Sequence, residues 1–450
     1  MSEVGVGSWS EHRLLRRVID AVAWVTWREV SIDDLNATAK GPVLLVANHF
    51  GGVSDAIVLM SVLPRRPRVL ADDQIWKVPL VRNFMDGVGA IPVHRGNRGS
   101  TDNTDMFAAA HQALGSREMV LIFPEGITRE EPSIGRVRSG AARIAIGARA
   151  LGVSGIRIVP VGIHYDDKAA FRSDVFVREG TPIDVDAELR AAGVDLTQLS
   201  DDGGEVEHKV VSELTALIEK RLRQSAPDYD DWREARALQL GSEAFLRSLE
   251  PDKPVPVALR DRLSSWLAER EAVAATDASD DYRHALTHLG VTDTWAAAGR
   301  KILDRNRILV TLVWLLMLPY AVIGVVAWSV PLGLTWLISK IRMAPAVMAT
   351  VMPLVVLLLF GVSTGIWSWV GWRLNGFAGF VTAVIAMPIS FSALVVVVER
   401  GLLWWRWSRD RVMTFGGRGR KLAELRQHAV AAVADEVAAE LSDVSPEAAS

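Results

Sequence analysis

Residues 308–398 are almost free of charge, and this feature constrains the fold more than any other. Three apolar stretches, 308–339, 344–372 and 376–398, follow one another, and Lys340, Arg342 and Arg373 are the charged side chains of the whole region. About 20 apolar residues are enough to cross a bilayer as a helix. The sequence therefore predicts membrane helices over residues 307–400, in a multi-pass protein of the cell membrane.

Basic residues on both sides of these stretches bear on the topology. Lysine and arginine are concentrated in residues 300–307 and again in residues 404–420, and such clusters usually stay in the cytoplasm. Three crossings would place the two clusters on opposite sides, so an even number is favoured. Pro319 and Pro331 interrupt the first stretch. This predicts a re-entrant helical hairpin there, with residues 340–342 cytoplasmic, followed by a two-span hairpin.

The rest of the 450-residue chain is long enough for several structural units. Short apolar runs alternate with helical patterns from residue 42 to 185, which predicts an α/β domain. A helical appendage is expected over 186–306, and residues 401–450 predict a basic segment followed by a helical or disordered tail. The predicted strands are 43–47, 68–71, 89–93, 119–123, 157–161 and 174–178, and the predicted helices are 56–63, 104–114 and 140–151.

The N-terminal region, residues 1–41, contains an amphipathic helix. Over residues 12–27 the apolar side chains recur at helical spacing on one face, and arginines occupy the other. Two interpretations remain open: the helix packs on its own domain, or it lies on anionic lipid. Asp20 interrupts the apolar run, so no secretory signal is predicted and the α/β domain is expected in the cytoplasm.

Composition excludes several kinds of chemistry. The chain has no cysteine, so disulfides, thiolate nucleophiles and cysteine-ligated zinc are excluded, and catalysis must use oxygen and nitrogen groups. A net charge of -3 gives no global attraction for nucleic acid, which is not an expected partner. His94, His111 and His164 do not have a metal-ligand spacing, so no metal is expected.

The first cluster of polar residues follows the predicted strand 43–47. His49 lies two residues beyond the end of the strand, and Asp55 opens the next helix. A neutral imidazole can accept a proton at physiological pH, and a carboxylate on its other nitrogen fixes the tautomer. Gly51 and Gly52 would let the loop fold back so that the two side chains meet. The pair predicts activation of a hydroxyl group, although a His and an Asp at this spacing also occur as a structural pair.

Two further clusters also follow strand ends, where open α/β sheets usually bind ligands. Arg95 follows the strand 89–93, and Glu125 lies in the sequence Phe-Pro-Glu-Gly after the strand 119–123. A guanidinium group can hold a phosphate through two hydrogen bonds, and a carboxylate can accept one from a hydroxyl. Together these residues suit an acceptor that is a phosphorylated polyol.

In their order along the chain, these clusters resemble the four sequence blocks of the glycerophospholipid acyltransferase superfamily. The resemblance spans residues 43–163. It is carried by Asn48, His49 and Asp55 in the first block, Arg95 at the end of the second, residues 123–126 with Arg138 and Gly140 in the third, and Val159-Pro160-Val161 in the fourth.

Two details depart from the common pattern of the superfamily. Five residues rather than four separate His49 from Asp55, and Thr128 stands where an arginine is usual, with Arg129 following it. Both details resemble the branch of fungal glycerol-3-phosphate and dihydroxyacetone-phosphate acyltransferases. The sequence Ala-Pro-Asp-Tyr at 226–229 and the hydrophobic C-terminal region resemble the same branch.

The resemblance implies an O-acyltransferase of glycerophospholipid synthesis that uses an acyl thioester. His49 would be the general base and Asp55 its partner, with direct transfer from acyl-CoA or acyl-ACP to glycerol 3-phosphate or 1-acylglycerol 3-phosphate, and no cofactor. Backbone amides of the Gly51-Gly52 loop are expected to stabilise the oxyanion. The implied substrate-binding residues are Asn48, Arg95, Glu125, Gly126, Arg129 and Arg138.

Two alternatives stay open beside this interpretation. An enzyme of the same superfamily could acylate another lysophospholipid or a glycolipid. A catalytically silent membrane scaffold that binds lipid could keep the same fold. Membrane lipids are expected partners in every case, because the basic residues after 400 suit anionic headgroups.

Overall fold

The structure is a computed structural model of the chain. It describes residues 9–33, 35–77, 82, 85–94, 103–166, 172–195, 205–251, 253–293, 305–341, 345–413 and 417–444. The chain divides into two compact units, Met1–Asp228 and Tyr229–Ser450, apart from the short stretch Ala344–Thr350.

An eight-stranded, mostly parallel sheet forms the centre of the first unit. Its order is β1-β7-β6-β2-β5-β3-β4, with β8 paired to β6. Only the β6–β7 and β6–β8 pairs are antiparallel. The strands are β1 Glu29–Ile32, β2 Val43–Ala47, β3 Pro67–Asp72, β4 Ile91–Val93, β5 Met119–Ile122, β6 Arg157–Tyr165, β7 Asp174–Glu179 and β8 Ile183–Asp184.

The central strand β2 is buried at every position because helices cover both faces of the sheet. A strand buried on both faces has no position that suits a polar side chain, and the β2 sequence is accordingly apolar throughout. The longer helices among the described residues of this unit are α1 Arg13–Thr26, α2 Val53–Val62, α3 Thr104–Gly115, α4 Gly140–Ala150, α5 Val185–Ala191 and α6 Glu205–Ser225. All six predicted strands are present, and β1 and β8 were not predicted.

The N-terminal helix α1 packs on its own domain, which is one of the two interpretations of its sequence. Ile19 and Val22 are buried in the core beside α2. Arg16 donates hydrogen bonds to the carbonyls of Met60 at 2.8 Å and Leu63 at 3.0 Å. These carbonyls lie at the C-terminus of α2, where backbone acceptors lack helical partners.

Helix α6 belongs to the α/β unit, whereas the sequence interpretation placed residues 186–306 in a separate appendage. Leu214, Ile218 and Leu222 recur at four-residue spacing and are buried in the same core as the sheet. This apolar stripe needs a partner surface, and α4 and the sheet provide it. The boundary between units therefore lies at Asp228 rather than at 185.

The second unit contains a bundle of charged helices. These are α7 Trp232–Leu249, α8 Val257–Glu269, α9 Val273–Leu289 and α12 Gly417–Val444. Leu422, Ala429 and Val433 of α12 are buried against them, and Arg426 Nε is 2.8 Å from Asp293 Oδ1. The tail predicted as helical or disordered therefore contains a packed helix.

Two long apolar helices complete the second unit. Helix α10 runs without interruption over Arg305–Ser339, with Pro319 and Pro331 inside it. The predicted re-entrant hairpin is therefore wrong for this segment. A proline removes only one backbone hydrogen bond, which long apolar helices tolerate.

Helix α11, Pro345–Met413, is interrupted at Asn375 and Gly376, where the backbone leaves the helical region. A Cβ on Gly371 would lie 2.4 Å from the carbonyl oxygen of Gly379. Residues eight apart cannot touch along one straight helix, so the chain turns back here as a helical hairpin. Among the described residues, Trp314–Ile338 and Leu358–Glu399 are long and apolar enough to cross a membrane.

Candidate active site

The candidate site lies where three neighbouring strands end. β2 pairs in parallel with β5 on one side and with β6 on the other. The residues that follow or close these strands therefore meet at one edge of the sheet. This edge brings together His49, the segment 123–126 and Tyr165, which are distant in sequence.

His49 and Asp55 form the hydrogen-bonded pair that the sequence predicts. His49 Nδ1 lies 2.9 Å from Asp55 Oδ2. The Asp55 side chain is fully buried in the first turn of α2, and 17% of the His49 side chain is exposed. Because the carboxylate can only accept, Nδ1 carries the proton and Nε2 presents a lone pair. The imidazole is thus oriented to accept a proton at Nε2.

The loop between the two residues depends on its glycines. Gly52 has φ +63°, a conformation that side-chain-bearing residues rarely adopt. Gly51 N donates to both oxygens of Asp55, at 3.0 and 2.9 Å. This engagement excludes the Gly51 amide from the expected oxyanion role and leaves only the Gly52 amide of that pair as a candidate.

Tyr165, the last residue of β6, is a member of the site that the sequence interpretation missed. Its hydroxyl donates to Asp55 Oδ1 at 2.7 Å. Burial raises the pKa of the Tyr165 phenol well above its ordinary value, and the Asp55 charge and hydrogen bond raise it further. The phenol therefore stays protonated and serves as a fixed donor. Nothing local to residue 165 indicates this role, because its partner is 110 residues away.

Tyr165→Phe is expected to lower kcat about 10-fold with little change in KM. A hydrogen bond to a charged group contributes about 1.5–3 kcal/mol, and without it Asp55 holds the imidazole less firmly. Steady-state kinetics measure the effect. Tyr229→Phe is the matched control, since Tyr229 is also buried and its hydroxyl is bonded to Ser264 Oγ at 2.8 Å in the second unit. Equal losses in both variants would contradict the assignment.

Glu125 is a buried residue that holds the backbone of the site. Its side chain is 1% exposed. Oε1 accepts from His49 N at 3.0 Å and Oε2 accepts from Gly135 N at 2.8 Å. Burial raises the pKa of Glu125, and these two amides oppose the shift. Glu125 thus has a structural role, because its buried carboxylate holds two backbone amides.

Asn48 also has a structural role in place of the expected substrate contact. The side chain is completely buried. Its amide donates to Ile163 O at 3.0 Å, and its oxygen accepts from Ile163 N at 2.7 Å. Both ends of the carboxamide join β2 to β6 just before Tyr165, and the complete burial of the side chain keeps it away from a ligand.

The ring of Phe123 supports the imidazole from one side. The two ring centroids are 4.2 Å apart with an interplanar angle of 19°. This stacking, with the Asp55 bond, fixes both the tilt and the rotation of the His49 ring. The Phe-Pro-Glu-Gly sequence thus contributes a packing residue and a buried carboxylate to the surroundings of the histidine.

The cationic residues of the third cluster lie next to this sequence. Gly126 has φ +70°, and a Cβ there would lie 3.2 Å from the Arg138 guanidinium. Arg138 is exposed, and no ion pair involves it among the residues that the structure describes. Arg129 N donates to His49 O at 2.9 Å, and its guanidinium is 3.2 Å from Glu131. Arg95, the remaining predicted residue, lies outside the described residues.

The other histidines singled out by sequence do not join this site. His94 Nδ1 is 2.8 Å from Asp73 Oδ2, and this bond lowers the pKa of Asp73. His164 Nε2 donates to the Ser225 carbonyl at 2.9 Å. Within the described part of the chain, no group of three or more histidine and acidic side chains could hold a metal ion.

An α/β sheet with a hydrogen-bonded His–Asp pair at its carboxyl edge, in which Asp55 is buried and the imidazole is partly exposed, suits an enzyme that deprotonates a hydroxyl group. The Acyltransferase family matches residues 29–164. This match covers less than a third of the chain and includes the strands and loops that carry His49, Asp55 and Glu125.

Two yeast proteins are related to this chain. Glycerol-3-phosphate O-acyltransferase 2 of Saccharomyces cerevisiae is 32% identical over 130 residues, which are 29% of this chain and 17% of the yeast protein. Glycerol-3-phosphate O-acyltransferase 1 of the same yeast is 23% identical over 199 residues, 43% of this chain and 25% of that protein. The matched segments thus make up a quarter or less of the two relatives.

Part of the chain also aligns with a solved structure. The crystal structure of the 1-acyl-sn-glycerophosphate (LPA) acyltransferase PlsC from Thermotoga maritima has 18% sequence identity to this chain and a TM-score of 0.32. The comparison covers 46% of this chain and 78% of the other.

Proposed function

We propose that the chain transfers a fatty acyl group from a thioester to a hydroxyl of glycerol 3-phosphate or 1-acylglycerol 3-phosphate. The single observation that carries the proposal is the His49–Asp55 bond of 2.9 Å, formed by an imidazole whose side chain is 17% exposed. The relationship to the yeast glycerol-3-phosphate O-acyltransferases supports the choice of acceptor.

In the proposed reaction His49 Nε2 removes the proton of the acceptor hydroxyl. The oxygen attacks the thioester carbonyl carbon, a C–O bond forms and the C–S bond breaks. The proton on His49 then passes to the leaving thiolate, which restores the neutral imidazole. Buried Asp55 stabilises the imidazolium while it exists. No cofactor is needed for these steps, because a thioester is already an activated acyl donor.

The phosphate of the acceptor is proposed to bind the exposed guanidinium of Arg138, with Arg129 and Arg95 as further candidates. Arg138 lies against Gly126, next to the Glu125 carboxylate that holds the His49 backbone. Arg138→Ala is expected to raise the acceptor KM about 10-fold and leave the acyl-donor KM unchanged, because the phosphate is on the acceptor. Arg143→Ala, an exposed arginine on α4, is the control. A rise in donor KM alone would contradict the assignment.

The donor is proposed to be acyl-CoA or acyl-ACP, and the place of action the cytoplasmic face of a membrane. The two long apolar segments support the membrane location, because large apolar side chains such as Leu316, Val326 and Trp369 are more than half exposed on them. Such a surface is poorly suited to water and well suited to lipid chains. The catalytic domain would then face the cytoplasmic supply of thioester.

The test is an acyl-transfer assay on the full chain purified in detergent or lipid nanodiscs. Labelled acyl-CoA, and separately acyl-ACP, is offered with glycerol 3-phosphate, 1-acylglycerol 3-phosphate and a panel of lysophospholipids and glycolipids. Label is expected in the product of one of the first two acceptors. Label only in another lysophospholipid or a glycolipid would support the alternative enzyme, and no product with any acceptor would support a silent lipid-binding scaffold.

A further inference from the structure

The segment Ser225–Asp228, at the end of α6, contacts the site from outside the matched acyltransferase region. The Ser225 carbonyl accepts from His164 Nε2 at 2.9 Å, and His164 directly precedes Tyr165. Three residues on, Asp228 Oδ1 accepts from Ile134 N at 2.9 Å and from Arg223 Nη1 at 2.9 Å. The segment therefore connects the end of β6 to the loop 131–138.

Two successive amides of that loop are held by two different carboxylates. Ile134 N donates to Asp228, and the next amide, Gly135 N, donates to Glu125 Oε2 at 2.8 Å. The other oxygen of Glu125 accepts from His49 N. A continuous path of hydrogen bonds thus runs from Asp228 through the loop to the backbone of the histidine.

Arg138 is the last residue of the loop 131–138. Arg138 N donates to the Pro124 carbonyl at 3.0 Å, and its guanidinium rests on Gly126. Gly135 has no room to move inward, because even a Cβ there would meet Arg129 at 2.6 Å and Glu125 at 3.0 Å. Asp228 therefore holds the loop at Ile134, and Glu125 holds it at Gly135.

The ion pair with Arg223 is the lesser of the two contacts of Asp228. The side chains of Arg223 and Asp228 are 37% and 28% exposed, respectively, and exposed pairs contribute little. The hydrogen bond from Ile134 N should contribute more to stability, because Ile134 is buried. A buried amide that loses its acceptor destabilises the folded state. The role of Asp228 should thus depend on an acceptor oxygen and not on its charge.

We propose that Asp228 is a positioning residue, which holds the loop 131–138 and thereby places Arg138 for binding of the acceptor phosphate. The inference rests on the proposed function for its link to the acceptor. It extends the functional unit to residue 228, well beyond the matched region that ends at residue 164. The sequence Ala-Pro-Asp-Tyr at 226–229 thereby gains a physical role.

The kinetic test uses three variants of the full chain. Asp228→Ala is expected to raise the acceptor KM about 10-fold, with the acyl-donor KM unchanged. Asp228→Asn should restore the acceptor KM to within about twofold, because its carboxamide oxygen still accepts from Ile134 N. Arg223→Met, which removes the ion pairs of Arg223 with Asp228 and Glu219 and leaves the Asp228 oxygens in place, should also stay within about twofold.

Asp186 provides a matched control. It accepts from Arg149 Nε at 2.6 Å and from Gly155 N at 3.0 Å, so it has the same two kinds of partner as Asp228. Gly155 precedes the first residue of β6, at the edge of the sheet opposite the site. Asp186→Ala should leave the acceptor KM unchanged. An equal rise in this control, or no rise in Asp228→Ala, would overturn the proposal.

Hydrogen exchange separates this inference from the proposed function. Peptides that cover residues 131–138 should exchange faster in Asp228→Ala than in the wild type, and at the wild-type rate in Asp228→Asn. If the wild type acylates no acceptor, the proposed function fails while this readout still tests the loop. Unchanged exchange in Asp228→Ala would refute the positioning role.

Discussion

Replacing His49 with alanine should lower kcat for acyl transfer by about 10²- to 10⁴-fold, the range that general base catalysis usually contributes. The variant keeps the fold of the loop, because the contacts of residue 49 with Glu125 and Arg129 are made by its backbone. The acceptor KM should change little, since the imidazole acts on the hydroxyl proton. Single-turnover and steady-state measurements with the preferred acceptor give the two quantities.

His284→Ala is the control for this experiment. His284 also lies near an aspartate, with Nε2 3.6 Å from Asp280 Oδ2, but it is an exposed residue of the second unit. Its loss should leave kcat within about twofold of the wild type. Full activity of His49→Ala would refute the proposed mechanism, whereas parallel losses in both variants would point to instability of the preparation.

Replacing Gly162 with alanine should destabilise the first unit by about 3 kcal/mol, at the upper end of typical overpacking costs. A Cβ at this position would lie 1.9 Å from the Ser225 carbonyl oxygen and 2.5 Å from its carbonyl carbon. Both atoms belong to the backbone, so no side-chain rotation relieves the overlap. Alanine has a better intrinsic preference for a strand than glycine, so any loss of stability must come from this clash.

Gly87→Ala is the matched change, because a Cβ there would have no heavy atom within 4 Å. Denaturant or thermal unfolding of both variants, followed by a probe in the first unit, measures the difference. The Gly162 variant should also lose protection from exchange along α6, since the helix must move away from β6. Equal stability of the two variants would show that α6 does not rest on β6 as described.

Gly162 and the His49–Asp55 pair are connected through β6 and α6. Gly162 allows α6 to reach β6, and α6 brings Asp228 to the loop 131–138. Tyr165, three residues beyond Gly162, donates to Asp55. The last turn of a helix outside the matched region is thus physically connected to the acid–base pair at the centre of the proposed chemistry.

Local patterns in the sequence determined the central strands, the long apolar helices and the His49–Asp55 pair. Continuous apolar runs predicted β2, β5 and β6, because a strand covered on both faces has no polar positions. The apolar region after residue 307 predicted long helices, and the His49–Asp55 spacing predicted their hydrogen bond. These features depend on residues close together in the chain, for which spacing alone nearly defines geometry.

Tertiary structure decided which residues become partners across long separations. The bonds of Tyr165 to Asp55, Asn48 to Ile163 and Asp228 to Ile134 join residues about 90 to 115 positions apart. It also turned Glu125 and Asn48 from expected ligand contacts into buried supports, and it kept α10 continuous through two prolines. Strand register and helix docking determine such pairings, and neither is encoded in the spacing of nearby residues.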